Sequence, residues 1–421
     1  MRVFSRRRVR PSFRDPRFAL LVAGETVNSI GGWASAIVLW GFAAYRFNAS
    51  PYAVSVTIVC WAAPPALLSP LLGVYIDRIG PRAAVVAGYC VAACAALGMA
   101  ASGSLAELAI AAVAYGGARA LAGPAASALP ARIVGDDDLL AANALLGSAA
   151  SAGQVAGPLV ASAALALSGF PAAFIVDAAT YLIGAAVVAP LPVRAAPRTE
   201  RPAERPAERP AERPAERPGE RPAANPGWRG ELAEGVTLVA RDRAIRLVVA
   251  VSAAVTFTSA AYLVVESLYA RQVLHRPPSQ FALFEAAAGT GAVLAGLAIS
   301  RVRARLTGGP VLMVSAIGYG LAACLFTGTT SVPVAYAGAF AWGVAGAVFG
   351  TLAVTALQQA APVRAHGRVL SVSATVQSWV ETIALPLGGV TLAALGVRAG
   401  ALTLAGVAIA AGLIALRPIR K

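Results

Sequence analysis

Lysine occurs once in 421 residues, histidine twice and cysteine four times, and charged residues of all kinds make up 13%, roughly half the share usual in soluble proteins. So little charge excludes an ordinary cytosolic enzyme. His275 and His366 fall in separate loops, far from Cys60, Cys90, Cys94 and Cys324, and no CxxC spacing occurs, which leaves neither a metal set nor a disulfide framework. The cysteines read as small buried apolar residues within hydrophobic runs. No GxxxxGK(S/T) segment is present to cradle nucleotide phosphates, so direct drive by ATP is not expected and no cofactor is implied. A membrane-embedded enzyme would need a clustered nucleophile and base. The sequence offers neither.

What the chain has is apolar length. Hydrophobic residues are 58% of the sequence, about 244 side chains, and twelve helices crossing a bilayer at about 20 residues each would use about 240. The runs fall near 18–45, 51–76, 83–101, 105–130, 139–167 and 170–191, then 245–271, 281–300, 309–328, 332–357, 367–394 and 398–416. The first is kept as a span because it is too long for a signal-peptide core and lacks an A-x-A cleavage pattern. The expected fold is an all-α membrane protein of twelve transmembrane helices in two six-helix pseudo-repeat bundles, the form of a transporter with its cavity between the halves.

Between the halves, a Glu-Arg-Pro-Ala repeat places Glu at 200, 204, 208, 212, 216 and 220. A proline in every turn removes a backbone donor and clashes with the turn before it, so 192–227 is expected to be a disordered cytoplasmic tether. Trp228, Leu232, Val236 and Val239 then recur at helical spacing, which predicts an interfacial helix. The resulting division is 1–191 for the first bundle, 192–227 for the linker, and 228–421 for the interfacial helix and second bundle.

The net charge of +15 comes almost wholly from arginines scattered between apolar runs, which points to a lipid bilayer and away from nucleic acid. With the N-terminus inside, 30 of the 35 basic residues lie on the cytoplasmic side, and the outer loops hold only Arg46, Arg271, Arg276 and Arg398. Both termini and the linker are therefore expected in the cytoplasm, with the chain multi-pass in the plasma (inner) membrane.

Between spans 2 and 3 runs Gly73-Val-Tyr-Ile-Asp77-Arg78-Ile-Gly80-Pro81-Arg82. A carboxylate between guanidinium groups at a helix end can form ion pairs in one conformation and lose them in another. Gly73 would let a second helix approach, and Asp77 could face that helix's positive N-terminus. The alternative is a plain positive-inside anchor. In span 5, Gly153 and Gly157 form a flat surface, and Pro158 frees a carbonyl and bends the helix.

The loop stretch resembles the GxxxDRxGR(R/K) motif of the major facilitator superfamily, with Pro81 in place of a basic residue. Further segments resemble the bacterial exporter branch that includes the enterobactin and macrolide efflux proteins: Pro124 to Pro130, Leu140 to Leu145, Phe174 to Ala178 and Glu231 to Gly235. Gly153, Gly157 and Pro158 resemble the antiporter motif GxxxGPxxGG, which implies export in exchange for protons. Arg119-Ala-Leu-Ala122-Gly123 is similar to the span-4 motif RxxQG, whose arginine the resemblance links to proton transfer.

Charges within spans are costly enough to need partners or water. Arg119 and Glu381 each lie 14 residues into their spans, about 20 Å by helical rise and near the midplane. Glu381 is read as alternating between protonated and ionised states with Arg119 as its electrostatic partner; a static ion pair between halves is the alternative. Glu25 is a candidate second protonation site. Glu266 and Glu285 are expected to meet water or an outer gate, and Asp177 to be structural, in a peripheral span, bonding Tyr181. Asp136, Asp137 and Asp138 are read as helix caps. Asn28, Trp33, Gln154, Phe340, Trp342, Gln377 and Trp379 are the candidate substrate contacts, since apolar walls with a few amides and indoles suit an amphiphilic molecule.

The expected function is proton-coupled efflux of a small amphiphilic compound by a monomer. Uptake symport by the same fold and ligand sensing without flux remain the alternatives.

Overall fold

The computed structural model describes residues 16–134, 139–191, 235–301, 309–362 and 365–416, and among these it contains helices and no strand. The first half comprises α1 (Pro16–Arg46), α2 (Pro51–Ile79), α3 (Pro81–Ala101) and α4 (Leu105–Ala128), then a single turn at Pro130–Ile133. α5 and α6 follow within one helical run, Leu139–Val188, parted at Gly169, whose φ of 74° and ψ of −169° turn the chain back on itself. Unbent, 50 residues would reach about 75 Å, well over twice a hydrocarbon core of about 30 Å. The run therefore makes two crossings.

The second half comprises α7 (Arg243–Gln272), α8 (Pro278–Arg301), α9 (Gly309–Thr327), α10 (Val332–Ala360), α11 (His366–Leu395) and α12 (Val397–Leu416). Proline opens several helices, at Pro51, Pro81 and Pro278, where a missing amide hydrogen costs nothing. Side-chain caps set other starts. Ser50 accepts from the Ala53 amide at 3.3 Å, Ser104 from Glu107 at 3.3 Å, and Asp242 from Ala244 and Ile245 at 2.8 and 3.0 Å.

The two halves repeat one packing plan. α1 packs on the α5–α6 run, α2 on α4, and α3 on α4 and the same run. In parallel, α7 packs on α11, α8 on α10, and α9 on α10 and α12. Across the halves α5 meets α8, α2 meets α11 and α1 meets α7. A local detail also repeats. Past the end of α1, Asn48 takes φ 51° and past the end of α7, His275 takes φ 52°. In each case the next amide bonds the carbonyl six residues back, Ala49 to Ala43 at 3.2 Å and Arg276 to Ala270 at 2.9 Å.

Close helix contacts run through glycine. A Cβ on Gly153 would lie 2.7 Å from Ser29 Cβ, and one on Gly157 would lie 2.5 Å from Trp33 Cβ, so α5 touches α1 along the expected flat surface. In the other half Gly343 on α10 abuts the Ala288 carbonyl of α8, and Gly291 on α8 abuts the Phe340 carbonyl of α10.

The cysteines depart from expectation in part. All four are free, with Cys60 and Cys324 half-buried, but Cys90 and Cys94 are exposed on α3, where a small apolar side chain suits lipid as well as it suits a core. The repeat tether 192–227, Trp228 and Leu232 of the expected interfacial helix, and Asp136, Asp137 and Asp138 lie outside the described residues. Residues 235–241 are helical, with Gly235 set against Arg368 and Val372 of α11.

Two substitutions on α10 test the glycine contact. Gly343→Ala drives a methyl into the Ala288 backbone and should cost about 1–3 kcal/mol, read as a lower melting temperature in detergent. Gly350→Ala meets nothing within 4 Å and should leave melting unchanged or raise it.

Candidate functional site

Helices of both halves enclose a cavity of about 720 Å³. α1 contributes Trp33, α5 contributes Gln154 and Pro158, α8 contributes Glu285, and α10 and α11 contribute Trp342 and Gln377. The cavity continues along α10 to Leu357 and along α11 to Leu370, near the end of the molecule where α1 begins and α12 ends. There Gly73, Gly147, Gly296, Gly350 and Gly367 all face open space.

The opposite end is tied across the halves. Arg271, in the last turn of α7, donates to the Ala44 carbonyl and to Asn48 Oδ1 at the end of α1, where a cation also meets the negative pole of the helix. Tyr45 donates its hydroxyl hydrogen to the Arg276 carbonyl at 3.0 Å, and the Phe281 ring lies 3.4 Å from a Cβ placed on Gly41.

Toward this closed end lies a chamber of about 360 Å³ that shares Trp33, Thr256, Ser259, Glu285 and Trp342 with the larger cavity. Its other walls include Trp40, Trp61, Glu266 and Glu381. Trp40 and Trp61 meet edge to face at 6.3 Å. Trp342 is held among Tyr262, Tyr319 and Phe326 at 5.6, 5.6 and 6.3 Å. Glu266 is 2% exposed, and among the described residues neither of its carboxylate oxygens has a hydrogen-bond partner; Glu285 Oε1 and the indole nitrogens of Trp40 and Trp342 are likewise unpartnered there.

Arg119 stands behind this wall. Its guanidinium lies 4.3 Å over the Trp61 ring. It also lines a separate cavity of about 460 Å³ within the first half, with Glu25, Asn28, Tyr89 and Tyr181. Here the acids are satisfied. Tyr89 donates to Glu25 Oε1 at 2.5 Å, Tyr115 donates to Asp177 Oδ2 at 2.9 Å, and the Tyr115 and Tyr181 hydroxyls are 3.1 Å apart.

Several expected positions need correction. Asp177 is 0% exposed and accepts hydrogen bonds from Tyr115 of α4 and, at 3.5 Å, from Thr180, not from Tyr181. The lack of a Cβ at Gly31 brings α1 against it, while Ile175, Leu182 and Ile183 leave the other face of α6 exposed. Glu266 and Glu285 line the chamber toward the closed end, and Glu285 also borders the larger cavity. Trp33, Gln154, Trp342 and Gln377 share the central cavity, whereas Asn28 lies in the first-half cavity. Phe340 and Trp379 are in neither. The Phe340 carbonyl sits in the α8–α10 contact while its ring is exposed, and Trp379, 60% exposed, lines a groove between α2 and α11.

Of the loop residues, Gly73 has no described residue within 4 Å of the place a Cβ would take. Gly80 (φ 84°) parts α2 from α3, Arg78 is exposed, and Arg82 donates to the Leu191 carbonyl at 3.3 Å. The Asp77 side chain lies outside the described residues.

Thr256, Ser259, Tyr319 and Trp40 were not singled out by sequence reasoning. Thr256 donates to Gln377 Oε1 at 3.3 Å, which fixes a cavity amide. The available signal was the run of small residues one and two turns after Glu285, at Ala288, Gly289 and Ala292, a face too thin to fill the space beside it.

Residues 21–306 match the sequence profile of the Major Facilitator Superfamily. A 70-residue stretch is 31% identical to an uncharacterized MFS-type transporter, YfiS, of Bacillus subtilis (strain 168), covering 16% of this chain and only 17% of that protein. The fold is similar to crystal structures of the nucleoside transporter NupG (TM-score 0.74, 10% identity, 95% of this chain and 99% of that one). It is also similar to a bacterial homologue of the human lysosomal transporter Spinster in an inward-facing, occupied conformation (0.71, 13%, 96% and 97%), and to the peptide transporter POT (0.69, 15%, 95% and 93%).

Two neighbouring positions on α11 test the cavity wall. With the four native cysteines replaced, Gln377→Cys should react with a charged, water-soluble thiol reagent. Trp379→Cys, about 200° further round the helix, should react only with a lipid-soluble one.

Proposed function

The chain belongs to the major facilitator superfamily, and we propose that within it the protein is a proton-coupled exporter of a small amphiphilic compound, drug, antibiotic or siderophore-like, working by alternating access. The observation that carries this reading is the cavity between the halves, tied shut at one end by Arg271 and Tyr45 and reaching the other beside Leu357 and Leu370. Such a molecule exposes its site to one side at a time, provided the ties at one end can exchange for ties at the other.

The distribution of arginine supports placing both termini in the cytoplasm, so the cavity would face inward in this conformation, ready to load cargo for export. The Gly153, Gly157 and Pro158 surface, resembling the antiporter motif, supports the outward direction. Its contact with Ser29 and Trp33 is the joint about which α5 would turn against α1. For coupling, Glu381 is the proton carrier. It borders the chamber, and the Trp61 wall of that chamber carries the Arg119 guanidinium over its ring. Loss of the Glu381 charge on protonation would release one half from the other. Glu25, bonded to Tyr89, is the second candidate for protonation. Gly73, Asp77, Arg78, Gly80 and Arg82 would form the latch on the inner side once α11 closes over Gly73.

Proteoliposomes with inside-out protein, an imposed pH gradient and a panel of neutral, cationic and anionic fluorescent amphiphiles provide the test. At least one probe should accumulate only when the lumen is acidic, with a matching rise in luminal pH. Glu381→Gln should abolish the gradient's effect while the protein still purifies as a folded species. Flux indifferent to the gradient, or a Glu381→Gln variant that remains fully coupled, would overturn the coupling; accumulation with the opposite gradient would make the protein an importer.

A further inference from the structure

Four of the six tryptophans in the chain, Trp33, Trp40, Trp61 and Trp342, line one chamber together with three of its glutamates. We infer that this chamber binds the positively charged group of an organic cation, so that the cargo class is a lipophilic amine or onium compound. The inference rests on the transporter reading above and deepens it.

The first argument is electrostatic. Carboxylates in a low-dielectric setting cost several kcal/mol unless paired or protonated. Among the described residues no cationic side chain forms an ion pair with Glu266 or Glu285. Glu266 is almost wholly buried with both oxygens unpartnered, and Glu285 Oε1 is unpartnered too. Each is an acceptor awaiting a proton or a positive ligand.

The second argument is the chemistry of the walls. Indole is the best aromatic partner for a cation, and the attraction strengthens in a desolvated site. The wall already shows this, since the Arg119 guanidinium lies 4.3 Å over the Trp61 ring. An anion would meet the negative faces of these rings and three acids. A neutral ligand would leave the acids as they are.

The third argument is size. Among the described residues no three carboxylates, histidines or cysteines come together as a metal-ion site, so the glutamates are too dispersed to grip a small inorganic cation. A bulky cation with spread charge fills a space of about 360 Å³ and touches acid and ring together. Its apolar body would extend into the adjoining cavity of about 720 Å³.

Tetraphenylphosphonium and tetraphenylborate share a shape and differ in the sign of charge. Added to the purified full-length protein in detergent, the cation should quench tryptophan fluorescence saturably, and the anion should bind at least tenfold more weakly. Glu285→Gln and Glu381→Gln should each weaken the cation at least fivefold, whereas Trp379→Phe, outside the chamber, should not. Should Glu285→Gln fail to yield folded protein, Glu381→Gln, whose side chain is the most exposed of the three, decides. Equal affinity for the two ions, or cation binding insensitive to the glutamates, overturns the inference. Flux separates the two readings. Gradient-driven movement of a neutral amphiphile without binding of the cation would leave the transporter standing and remove the cation site. Glutamate-dependent cation binding without any flux would keep the site and remove transport.

Discussion

Helices dissolved in hydrocarbon gain nothing by hiding apolar surface from each other, because lipid tails are as apolar as leucine. What holds them together is closeness, and in this chain closeness is set by where a Cβ is missing. Gly153 and Gly157 bring α5 onto α1, Gly343 and Gly291 lock α8 and α10, and Gly31 lets α1 lie against Asp177 and Thr180. The cavity is the complement of these contacts. It exists where facing helices are held apart by large side chains such as Trp33, Tyr319 and Trp342, while glycine draws the same helices together a turn or two away.

The two halves share a packing plan but treat their buried acids differently. In the first half Glu25 and Asp177 each receive a tyrosine hydroxyl, and hydroxyl pairing with Tyr181 extends the network from Tyr115. Satisfied in this way, a polar cluster rigidifies a bundle. In the second half, among the described residues, both oxygens of Glu266 and Oε1 of Glu285 have no such donor, while Tyr262 pairs with Thr327 at 3.0 Å. One bundle therefore serves as a frame, and the other carries acceptors left open to whatever enters between them.

Much of this was legible in the residues. Span number, the turn-back near Gly169 and the flat face of Gly153 and Gly157 follow from hydrophobic runs and from what a missing side chain permits. Trp33, Gln154, Trp342 and Gln377 could be placed on the cavity because polar and aromatic groups in lipid seek each other. Less could be read where the answer depends on rotation about a helix axis. Trp379 and Gln377 are two residues apart and look alike as candidates, yet they face a lipid-side groove and the interior. Depth alone said less than packing: Glu266 and Glu285 lie toward helix ends, and only the assembled helices bring both to one chamber. The matched turns at Asn48 and His275 were invisible because an asparagine and a histidine share no obvious letter, only a tolerance for positive φ.

A helical run that turns at a single glycine has no slack. α5 carries Gln154 and Pro158 on the cavity wall, α6 carries Asp177 bound to α4, and only Gly169 stands between them. Any tilt of the first arm is therefore delivered to the second as torque, with no loop to absorb it. The cavity wall and the tyrosine-bound acid are two ends of one lever, and the elbow is the place where an inserted residue or a tag would uncouple them.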